Sequence, residues 1–315
     1  MKKVAVGISG GVDSSVAAFL LKERGFDVVG VTMLVGGPGE EEMLAAAKEF
    51  ADSLSIKHFV VDFKDMFAKE VVEYIRSEYA SARTPNPCIR CNEKIKLGAL
   101  AEHAFSALGC DAVATGHYAR VASSCLYRAA DRTKDQSYFL YRVDKGVLRR
   151  LILPLGELSK ERVRGIALEN SFASAKKPDS QDFCFGNIKS LLSGASSRNG
   201  SIVTLSGETI GSHEGIDSFT VGMRKGLGLP GGTDPYYVIK IDASTNTVVV
   251  GPKSAAVSFS LRLENTVGKI DFSLPVKVRS ASEPRLISDG LFAVTPGQSA
   301  VFYDGDKVVG GGIIC

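Results

Sequence analysis

A short run of glycines and hydroxyl side chains near the start of the chain could bind a phosphate group. Ser9–Ser15 reads SGGVDSS; its paired glycines let the backbone approach a bound group closely, and its serines add hydroxyl donors. An apolar run, VAVGI, precedes it, and an amphipathic run that stops at Gly25 follows it. This pattern predicts a strand-to-helix turn, where free N–H groups and the positive end of a helix bind anions.

The residues that are missing from Ser9–Ser15 exclude two common types of phosphate loop. It has neither the lysine of a GxxxxGK[ST] loop nor the third glycine of a GxGxxG loop. With serines on both sides of the Gly-Gly pair, it resembles the pyrophosphate loop, or PP-loop, of the ATP pyrophosphatases, which cleave ATP to AMP and pyrophosphate. The alternative is an ordinary glycine-containing turn that is capped by Ser or Asp.

Length and composition limit the kinds of protein to which this loop can belong. The 315 residues are enough for two or three domains, and the net charge of +3 permits a nucleic-acid partner without requiring one. The six cysteines are too sparse for a disulfide scaffold. The opening MKKVAVGISGG is broken by glycines, and no apolar run reaches membrane length. We therefore expect a soluble, cytoplasmic protein with reduced thiols and no membrane partner.

The first part of the chain alternates between strand-like and helix-like segments up to about residue 190. Strands are predicted at 28–34, 58–63 and 111–116, and helices at 40–54, 66–79 and 92–108. This alternation predicts an α/β fold with a parallel sheet, in which ligands bind at the carboxyl ends of the strands.

The second part of the chain has a different residue pattern. After about residue 195, short β-branched runs such as TVVVG and SAVFY are separated by turn residues, which predicts β structure and a barrel. The predicted domains are a PP-loop catalytic domain over 1–192, a small β-rich domain over 193–252 and a C-terminal β-barrel that contacts tRNA over 253–315.

Four further stretches narrow the family. In chain order they are TPNPCIRCNEKIK at 84–96, ATGHYAR at 114–120, KDQSYFL at 134–140 and AKKPDSQDFCF at 175–185. Their order and wording resemble the tRNA-specific 2-thiouridylases, which put sulfur on C2 of the wobble uridine of certain tRNAs. The similarity continues through 219–232 and 294–314, so it spans nearly the whole chain.

That reaction needs ATP because the C2 oxygen of uracil is a poor leaving group, and adenylation turns it into AMP. The resemblance also implies Mg²⁺ to neutralise the pyrophosphate oxygens, with Asp13 as a hydrogen-bond or metal-shell partner. From the sequence alone, Met33 is explained as well by a place in the core. The residues that match ATP-contacting positions are Gly7, Ile8, Ser9, Gly10, Gly11, Val12, Asp13, Ser14, Met33 and Gly116.

The resemblance assigns the sulfur chemistry to two cysteines. Cys184 matches the residue that carries the transferred sulfur as a persulfide, and the nearby Lys176 and Lys177 favour its thiolate. Cys91 matches the residue that attacks the persulfide or forms a disulfide with Cys184 as sulfur leaves. Without the resemblance, Cys184 reads as a structural thiol.

One departure from the family leaves two or more ways in which this chain could hold the sulfur. Many members have Asp where this chain has Cys88, so the loop here reads Cys-x-x-Cys. Cys88, Cys91 and Cys184 could hold a four-iron four-sulfur cluster with one iron open to sulfide, or a zinc ion. Alternatively, Cys88 replaces Asp while persulfide chemistry proceeds, or the two cysteines form a redox or structural pair.

The resemblance also implies dispersed contacts with RNA, three of them in the loop that meets the target base and one beside it. The alternatives without a function are that Lys134 and Arg279 are solvated surface charges and that His117 is a hydrogen-bonded histidine at the end of a strand. Ser280 departs from the aromatic residue common at its position. The residues that match RNA-contacting positions are Asn86, Pro87, Cys88, His117, Lys134, Asp135, Gln136, Arg279, Ser280 and Gln298.

The predicted function is therefore ATP-dependent 2-thiolation of the wobble uridine of tRNA. The family implies Lys, Glu and Gln tRNAs as substrates, and a sulfur-donor protein such as a cysteine desulfurase or a sulfur relay carrier. One rival is another PP-loop enzyme that acts on tRNA or on a small carbonyl compound. A rival of a different class is a non-catalytic RNA- or iron-sulfur-binding module that keeps ATP as a structural ligand.

Overall fold

The structure, a computed structural model, describes residues 1–177, 186–188, 191, 198–229 and 235–315. Cys184 therefore lies outside the described residues. The chain divides into two compact units. The first unit comprises Met1–Val71, Cys88–Asn187 and Gly305–Val308, and the second comprises Val72–Pro87, Ile188–Asp304 and Val309–Cys315.

The first unit is built on a five-stranded parallel sheet with the order β3-β2-β1-β4-β7. This confirms the predicted α/β fold with a parallel sheet. The remaining two strands form an antiparallel hairpin, β5-β6. The strands of this unit are β1 (Lys3–Gly7), β2 (Asp27–Leu34), β3 (Lys57–Asp62), β4 (Ala112–Ala114), β5 (Ala119–Ala122), β6 (Cys125–Arg128) and β7 (Leu151–Ile152).

The core of this unit surrounds the central strand β1. Val4, Ala5 and Val6 have no exposed surface, because a parallel strand that is covered by helices on both faces is apolar throughout. Apolar clusters form on both sides of the sheet; one includes Leu97 and Leu100, and the other includes Leu21 and Phe50.

Eight α-helices occur in the described residues, and two predicted helices differ from the prediction. The helices expected at 66–79 and 92–108 contain π-helical turns at Ala68–Val72 and Asn92–Ala99. None of the described helices is long and apolar enough to cross a lipid bilayer. They are α1 (Val12–Glu23), α2 (Glu40–Ser53), α3 (Lys64–Phe67), α4 (Glu73–Ala80), α5 (Pro87–Cys91), α6 (Leu100–Ser106), α7 (Lys145–Leu148) and α8 (Lys160–Glu169).

The second unit is rich in β structure, as the sequence predicts. One sheet has the order β10-β11-β8-β9, and strands β14, β16 and β17 are neighbours in another, with β13 also paired to β17. The domain limits at residues 192 and 252 stay predictions. The strands are β8 (Gly200–Thr204), β9 (Thr209–His213), β10 (Tyr237–Asp242), β11 (Thr247–Gly251), β12 (Val257–Ser258), β13 (Leu263–Gly268), β14 (Val276–Lys277), β15 (Leu291–Phe292), β16 (Ser299–Asp304) and β17 (Lys307–Ile314).

Candidate active site

The residues predicted to contact ATP collect at one edge of the parallel sheet. Gly7 is the last residue of β1, Met33 is the penultimate residue of β2, and Gly116 lies two residues beyond β4. These three strands are adjacent and parallel, so their carboxyl ends share an edge. That edge is the usual place for a nucleotide in an open α/β sheet.

Gly10 gives the loop a backbone conformation that other residues rarely adopt. Gly10 has a φ of +67°, and a Cβ at this position would lie 2.8 Å from the Cβ of Ala46 and 3.2 Å from the carbonyl oxygen of Met43. Within the described part of the chain, no side chain caps α1 at Gly11. The first N–H groups of α1 have no partner inside the helix, so they remain suited to phosphate oxygens. These features fit the triphosphate of ATP.

The hydroxyl groups of the loop stabilise its shape. Ser14 Oγ donates to the carbonyl oxygen of Gly11 over 3.1 Å and accepts from the N–H of Ser9 over 3.2 Å. Ser15 Oγ donates to the same carbonyl oxygen over 3.0 Å. Ser9 is exposed, and its Oγ lies 3.3 Å from that of Ser14. Ser9 is therefore the hydroxyl best placed to meet a ligand from solvent.

Gly116 has a steric reason to be glycine. A Cβ there would lie 2.8 Å from the carbonyl carbon of Asp13 and 2.9 Å from the nitrogen of Ser14, both backbone atoms of the first turn of α1. The segment after β4 can therefore touch that turn only because the side chain is missing. Met33 is partly buried and packs against the apolar cluster of the sheet, so its contact with ATP stays a prediction.

Asp13 has two partners that the sequence did not reveal. Lys160 Nζ donates to both carboxylate oxygens of Asp13, over 2.7 and 2.8 Å, and Tyr118 Oη donates to one of them over 2.7 Å. Lys160 retains only 9% of its surface exposed. The loop thus gains a neighbouring cation from a distant helix, although its own motif has no lysine.

The position of Lys160 is fixed by the start of α8. Ser159 caps this helix by accepting from the N–H of Arg162 over 3.2 Å, and Asp131 accepts from the N–H of Lys160 over 3.1 Å. The pKa of Asp131 is lowered, chiefly because the hydroxyl of Thr133 donates a hydrogen bond to its carboxylate. Asp131 is therefore ionised and holds the helix start.

The segment after Gly116 joins two of the predicted RNA-contacting stretches. Tyr118 donates its N–H to Gln136 Oε1 over 2.9 Å and accepts the N–H of Gln136 over 2.8 Å. His117 Nδ1 lies 2.8 Å from Thr115 Oγ1. Burial, together with the positive charge of Lys96, lowers the pKa of His117 to about 3, so its ring is neutral at physiological pH.

Asp135 and Gln136 already have partners inside the protein. The buried carboxylate of Asp135 accepts the N–H of Ala129 over 3.0 Å, the N–H of Ser137 over 3.2 Å and the hydroxyl of Ser137 over 3.0 Å. Lys134 is partly exposed, so it is the residue of this turn with a charge that solvent can reach. RNA contacts by all three residues stay predictions.

Both cysteines of the CxxC sequence lie on helix α5. It begins at Pro87, earlier than the helix predicted from residue 92, because proline suits the first turn of a helix. Cys88 and Cys91 are three residues apart and therefore share one helix face, with Cys91 only 4% exposed. The neighbouring Arg90 pairs with Glu70 over 2.7 Å. Within the described ranges, no group of three metal-binding side chains occurs. Those ranges omit Cys184, so they test neither the cluster nor the persulfide.

In the second unit, the side chains of Arg279 and Gln298 bind backbone groups. Arg279 donates to the carbonyl oxygen of Ala293 over 3.3 Å and to Thr295 Oγ1 over 2.9 Å, and it also meets the carbonyl oxygen of Val221. Gln298 donates to two carbonyl oxygens of the segment at 84–85. Ser280 is partly buried. The predicted contacts of these three residues with tRNA stay predictions.

Three family models match most of the chain. A model described as the tRNA methyl transferase HUP domain matches residues 2–187. The tRNA methyl transferase PRC-barrel domain matches residues 189–252, and the aminomethyltransferase beta-barrel domain matches residues 286–314.

Curated relatives are similar from end to end. The tRNA-specific 2-thiouridylase MnmA of Trichormus variabilis is 41% identical over 352 residues, which cover 100% of this chain and 99% of that protein. The protein of the same name from Carboxydothermus hydrogenoformans is 40% identical over 357 residues, covering 99% of this chain and 97% of that one. The resemblance that the motifs indicated is confirmed, and the chain belongs to the tRNA-specific 2-thiouridylase family.

Proposed function

We propose that this chain transfers sulfur to C2 of the wobble uridine of tRNA in an ATP-dependent reaction. Its family membership supports a tRNA-uridine sulfurtransferase that uses ATP. The observation that carries the ATP part is the phosphate loop, where α1 begins directly after Gly10 and Gly11 without a side-chain cap in the described residues. The following steps are proposals about how this chain performs the reaction.

In the first step, the O2 atom of uracil attacks the α-phosphorus of ATP. The bond between that phosphorus and the bridging oxygen breaks, and pyrophosphate leaves with the electron pair. The N–H groups at the start of α1 stabilise the negative charge that develops on the phosphate oxygens. Lys160 neutralises Asp13, so the carboxylate does not repel the triphosphate.

We propose that Mg²⁺ binds together with ATP, where it would neutralise negative charge on the phosphate oxygens. Proteins commonly hold this ion with only one or two carboxylates together with substrate phosphates. Asp13 is the single carboxylate of the loop and already accepts from Lys160 and Tyr118, so a bound ion would be held chiefly by the phosphates of ATP. The reaction steps proposed for the side chains do not depend on it.

In the second step, the terminal sulfur of a persulfide on Cys184 attacks C2. The bond between C2 and the adenylated oxygen breaks, and AMP leaves. The thiolate of Cys91 then attacks Sγ of Cys184, which leaves the sulfur on C2 and forms a Cys91–Cys184 disulfide. Two electrons have passed from the cysteine pair to the transferred sulfur, so a dithiol reductant must reduce the disulfide before the next turnover.

The proposed partners follow from this chemistry. Uridine at the wobble position of Lys, Glu and Gln tRNAs is the substrate that the family implies. A persulfide-bearing sulfur donor, such as a cysteine desulfurase or a sulfur relay carrier, must reload Cys184. We place the reaction in the cytoplasm, where thiols are kept reduced.

The two cysteines on one face of α5 favour a second candidate for the way sulfur is held. Cys88 and Cys91, with Cys184, would ligate a four-iron four-sulfur cluster that binds sulfide. Iron and acid-labile sulfide, measured in protein purified without oxygen, distinguish the two candidates. The persulfide route predicts no iron and intact thiolation in both the wild type and Cys88→Asp. About four of each per chain, lost in Cys88→Asp, would replace that route with the cluster.

The assignment of the sulfur carrier is tested by comparing two cysteine variants. In a purified assay with tRNA, ATP and a persulfide donor, Cys184→Ala is expected to form no 2-thiouridine while it still binds ATP and tRNA. Cys315→Ala removes an exposed cysteine that lies 131 positions further along the chain, and it is expected to match the wild type. Formation of 2-thiouridine by Cys184→Ala would contradict the assignment.

A further inference from the structure

The segment Thr84–Pro87 is held by a distant turn of its own unit. Thr84 donates its N–H to the carbonyl oxygen of Pro296 over 2.8 Å. The side-chain amide of Gln298 donates to the carbonyl oxygens of Thr84, over 2.8 Å, and of Pro85, over 3.2 Å. Gln298 lies 214 positions from Thr84 along the chain, so the segment depends on the folded second unit.

These bonds satisfy the backbone groups at the start of the segment. Thr84 has one N–H and one carbonyl group, and both are used. Pro85 has no N–H, and its carbonyl oxygen is used by Gln298. Pro85 is also buried. The segment lies between α4 and the first residue of α5, so its conformation is set largely by the turn at 296–298.

Gly297 makes the close approach possible. Its φ is +88°, and a Cβ there would lie 2.9 to 3.0 Å from the nitrogen, carbonyl carbon and carbonyl oxygen of Thr84. Those neighbours are backbone atoms and cannot rotate away. Any side chain at residue 297 must therefore push the two segments apart or distort the turn.

The turn itself is fixed by the end of β17. Gly297 donates its N–H to the carbonyl oxygen of Ile314 over 2.9 Å, and Ile314 donates its N–H to the carbonyl oxygen of Gln298 over 2.8 Å. The residue before the segment is also restrained, because Arg83 pairs with Glu78 over 2.8 Å and with Glu264. The segment is thus braced on both sides by groups that are themselves held.

We infer that the turn Pro296–Gln298 positions the Thr84–Pro87 segment for recognition of the target uridine. Gly297 and Gln298 act as positioning residues, since their described contacts are with the segment. This inference rests on the proposed function, because the assignment of Asn86 and Pro87 to the target base belongs to that function. A base-recognition segment that lies largely outside helices and strands must be held in place by other parts of the protein, and an error of about 1 Å in such a site costs as much as 100-fold in rate.

We call the contacts of the turn Pro296–Gln298 with the segment Thr84–Pro87 the clamp. Two substitutions disturb the clamp, and a third provides a matched control. Gly297→Ala adds a Cβ against Thr84, and Gln298→Met removes the amide donor at similar volume. Gly207→Ala places the same side chain at the same φ of +88°, in the β8–β9 turn of the same unit, but its Cβ would have no neighbour within 4 Å. The control therefore reproduces the backbone strain without the collision.

The readouts are single-turnover 2-thiolation, equilibrium binding of ATP and of tRNA, and amide exchange of Thr84. Gly297→Ala and Gln298→Met are expected to slow thiolation about 10- to 100-fold and to speed exchange of Thr84. ATP affinity and tRNA affinity should stay within about 2-fold, because phosphate contacts supply most of RNA affinity. Gly207→Ala should match the wild type in every readout.

Several results would overturn the inference. One is a wild-type thiolation rate in both clamp variants, and another is an equal loss in Gly207→Ala. If Gly297→Ala does not fold, Gln298→Met alone decides. Absence of 2-thiouridine with the wild type would instead contradict the proposed function. In that case, amide exchange of Thr84 still reports whether the turn holds the segment, and unchanged exchange in the variants would refute the clamp.

Discussion

The phosphate loop, Ser9–Ser15, and the segment that we propose meets the target base, Thr84–Pro87 (the target-base segment), are held in opposite ways. In the phosphate loop, Ser14 braces Ser9 five positions away, and Gly10 adopts the positive φ that the turn requires. In the target-base segment, the bracing groups come from 213 and 214 positions away. One site contains most of what holds its shape, and the other takes its shape from a distant part of its unit.

This difference predicts that the two functions can be damaged separately. A change near the phosphate loop should weaken ATP binding before it alters recognition of the base. A change in the turn at 296–298 should do the reverse. The contact of Gly116 with α1 and the pair between Lys160 and Asp13 are exceptions within the first site, because they join it to distant residues.

The largest effect is expected from Gly116→Ala. The added Cβ would lie within 2.9 Å of backbone atoms of Asp13 and Ser14, so the first turn of α1 must move. We expect ATP affinity to fall about 100-fold, measured by calorimetry with a non-hydrolysable ATP analogue. Gly165→Ala in α8 is the control, because its Cβ would meet only side-chain atoms at 3.7 Å or more. A wild-type ATP affinity in Gly116→Ala would contradict the steric role of Gly116 at the phosphate loop.

A smaller effect is expected from Lys160→Met. It leaves the carboxylate of Asp13 beside the phosphate loop without its cation, which opposes an incoming triphosphate. We expect about 10-fold weaker ATP binding and a loss of about 1 to 2 kcal/mol in the free energy of unfolding, since Asp13 is partly exposed and the pair is screened. Adding Asp13→Asn to Lys160→Met should restore part of the ATP affinity; no restoration would refute the charge argument.

Tyr118→Phe removes one neutral donor to Asp13 and should lower the free energy of unfolding by about 1 kcal/mol.

The smallest effect is expected in the pH dependence of stability. His117 stays neutral in the folded protein down to about pH 3, whereas an unfolded histidine takes up a proton near pH 6.5. The unfolded state therefore binds more protons between these values, and the free energy of unfolding falls as the pH falls below about 6.5. His58 and His213, whose pKa values are also lowered chiefly by burial, act in the same direction.

The variant His117→Gln isolates one of these contributions. Its free energy of unfolding should decline less steeply than that of the wild type from pH 7 to pH 5, as measured by urea denaturation. Identical slopes would show that His117 takes up its proton over the same pH range in the folded and unfolded states, and the lowered pKa of the folded protein would be wrong.

Much of the first unit could be predicted because its signals are local. The apolar run of β1 and the Gly-Gly turn of the phosphate loop each lie within a few residues. The β5–β6 hairpin was not predicted, since its turn residues Ser123 and Ser124 adopt φ values of 48° and 61°, which serine does not signal as Asn-Gly would. The π-helical turns likewise have no pattern that distinguishes them from α-helix.

The partners of the site residues could not be predicted for a related reason. Lys160 lies 147 positions from Asp13, and Tyr118 lies 105 positions from it, so only the folded sheet brings them together. Ser159 carried a readable capping signal for α8, but nothing in the sequence says which carboxylate a lysine will meet. Gln298 was predicted to contact RNA, and its described contacts are with Thr84 and Pro85.

The most direct test of the central claim is the stoichiometry of the reaction. Purified protein would be given tRNA with a wobble uridine, ATP and a persulfide donor, and both 2-thiouridine and pyrophosphate would be quantified. We expect one pyrophosphate for each 2-thiouridine, and no 2-thiouridine without ATP. Formation of 2-thiouridine without release of pyrophosphate, or no 2-thiouridine under complete conditions, would contradict it.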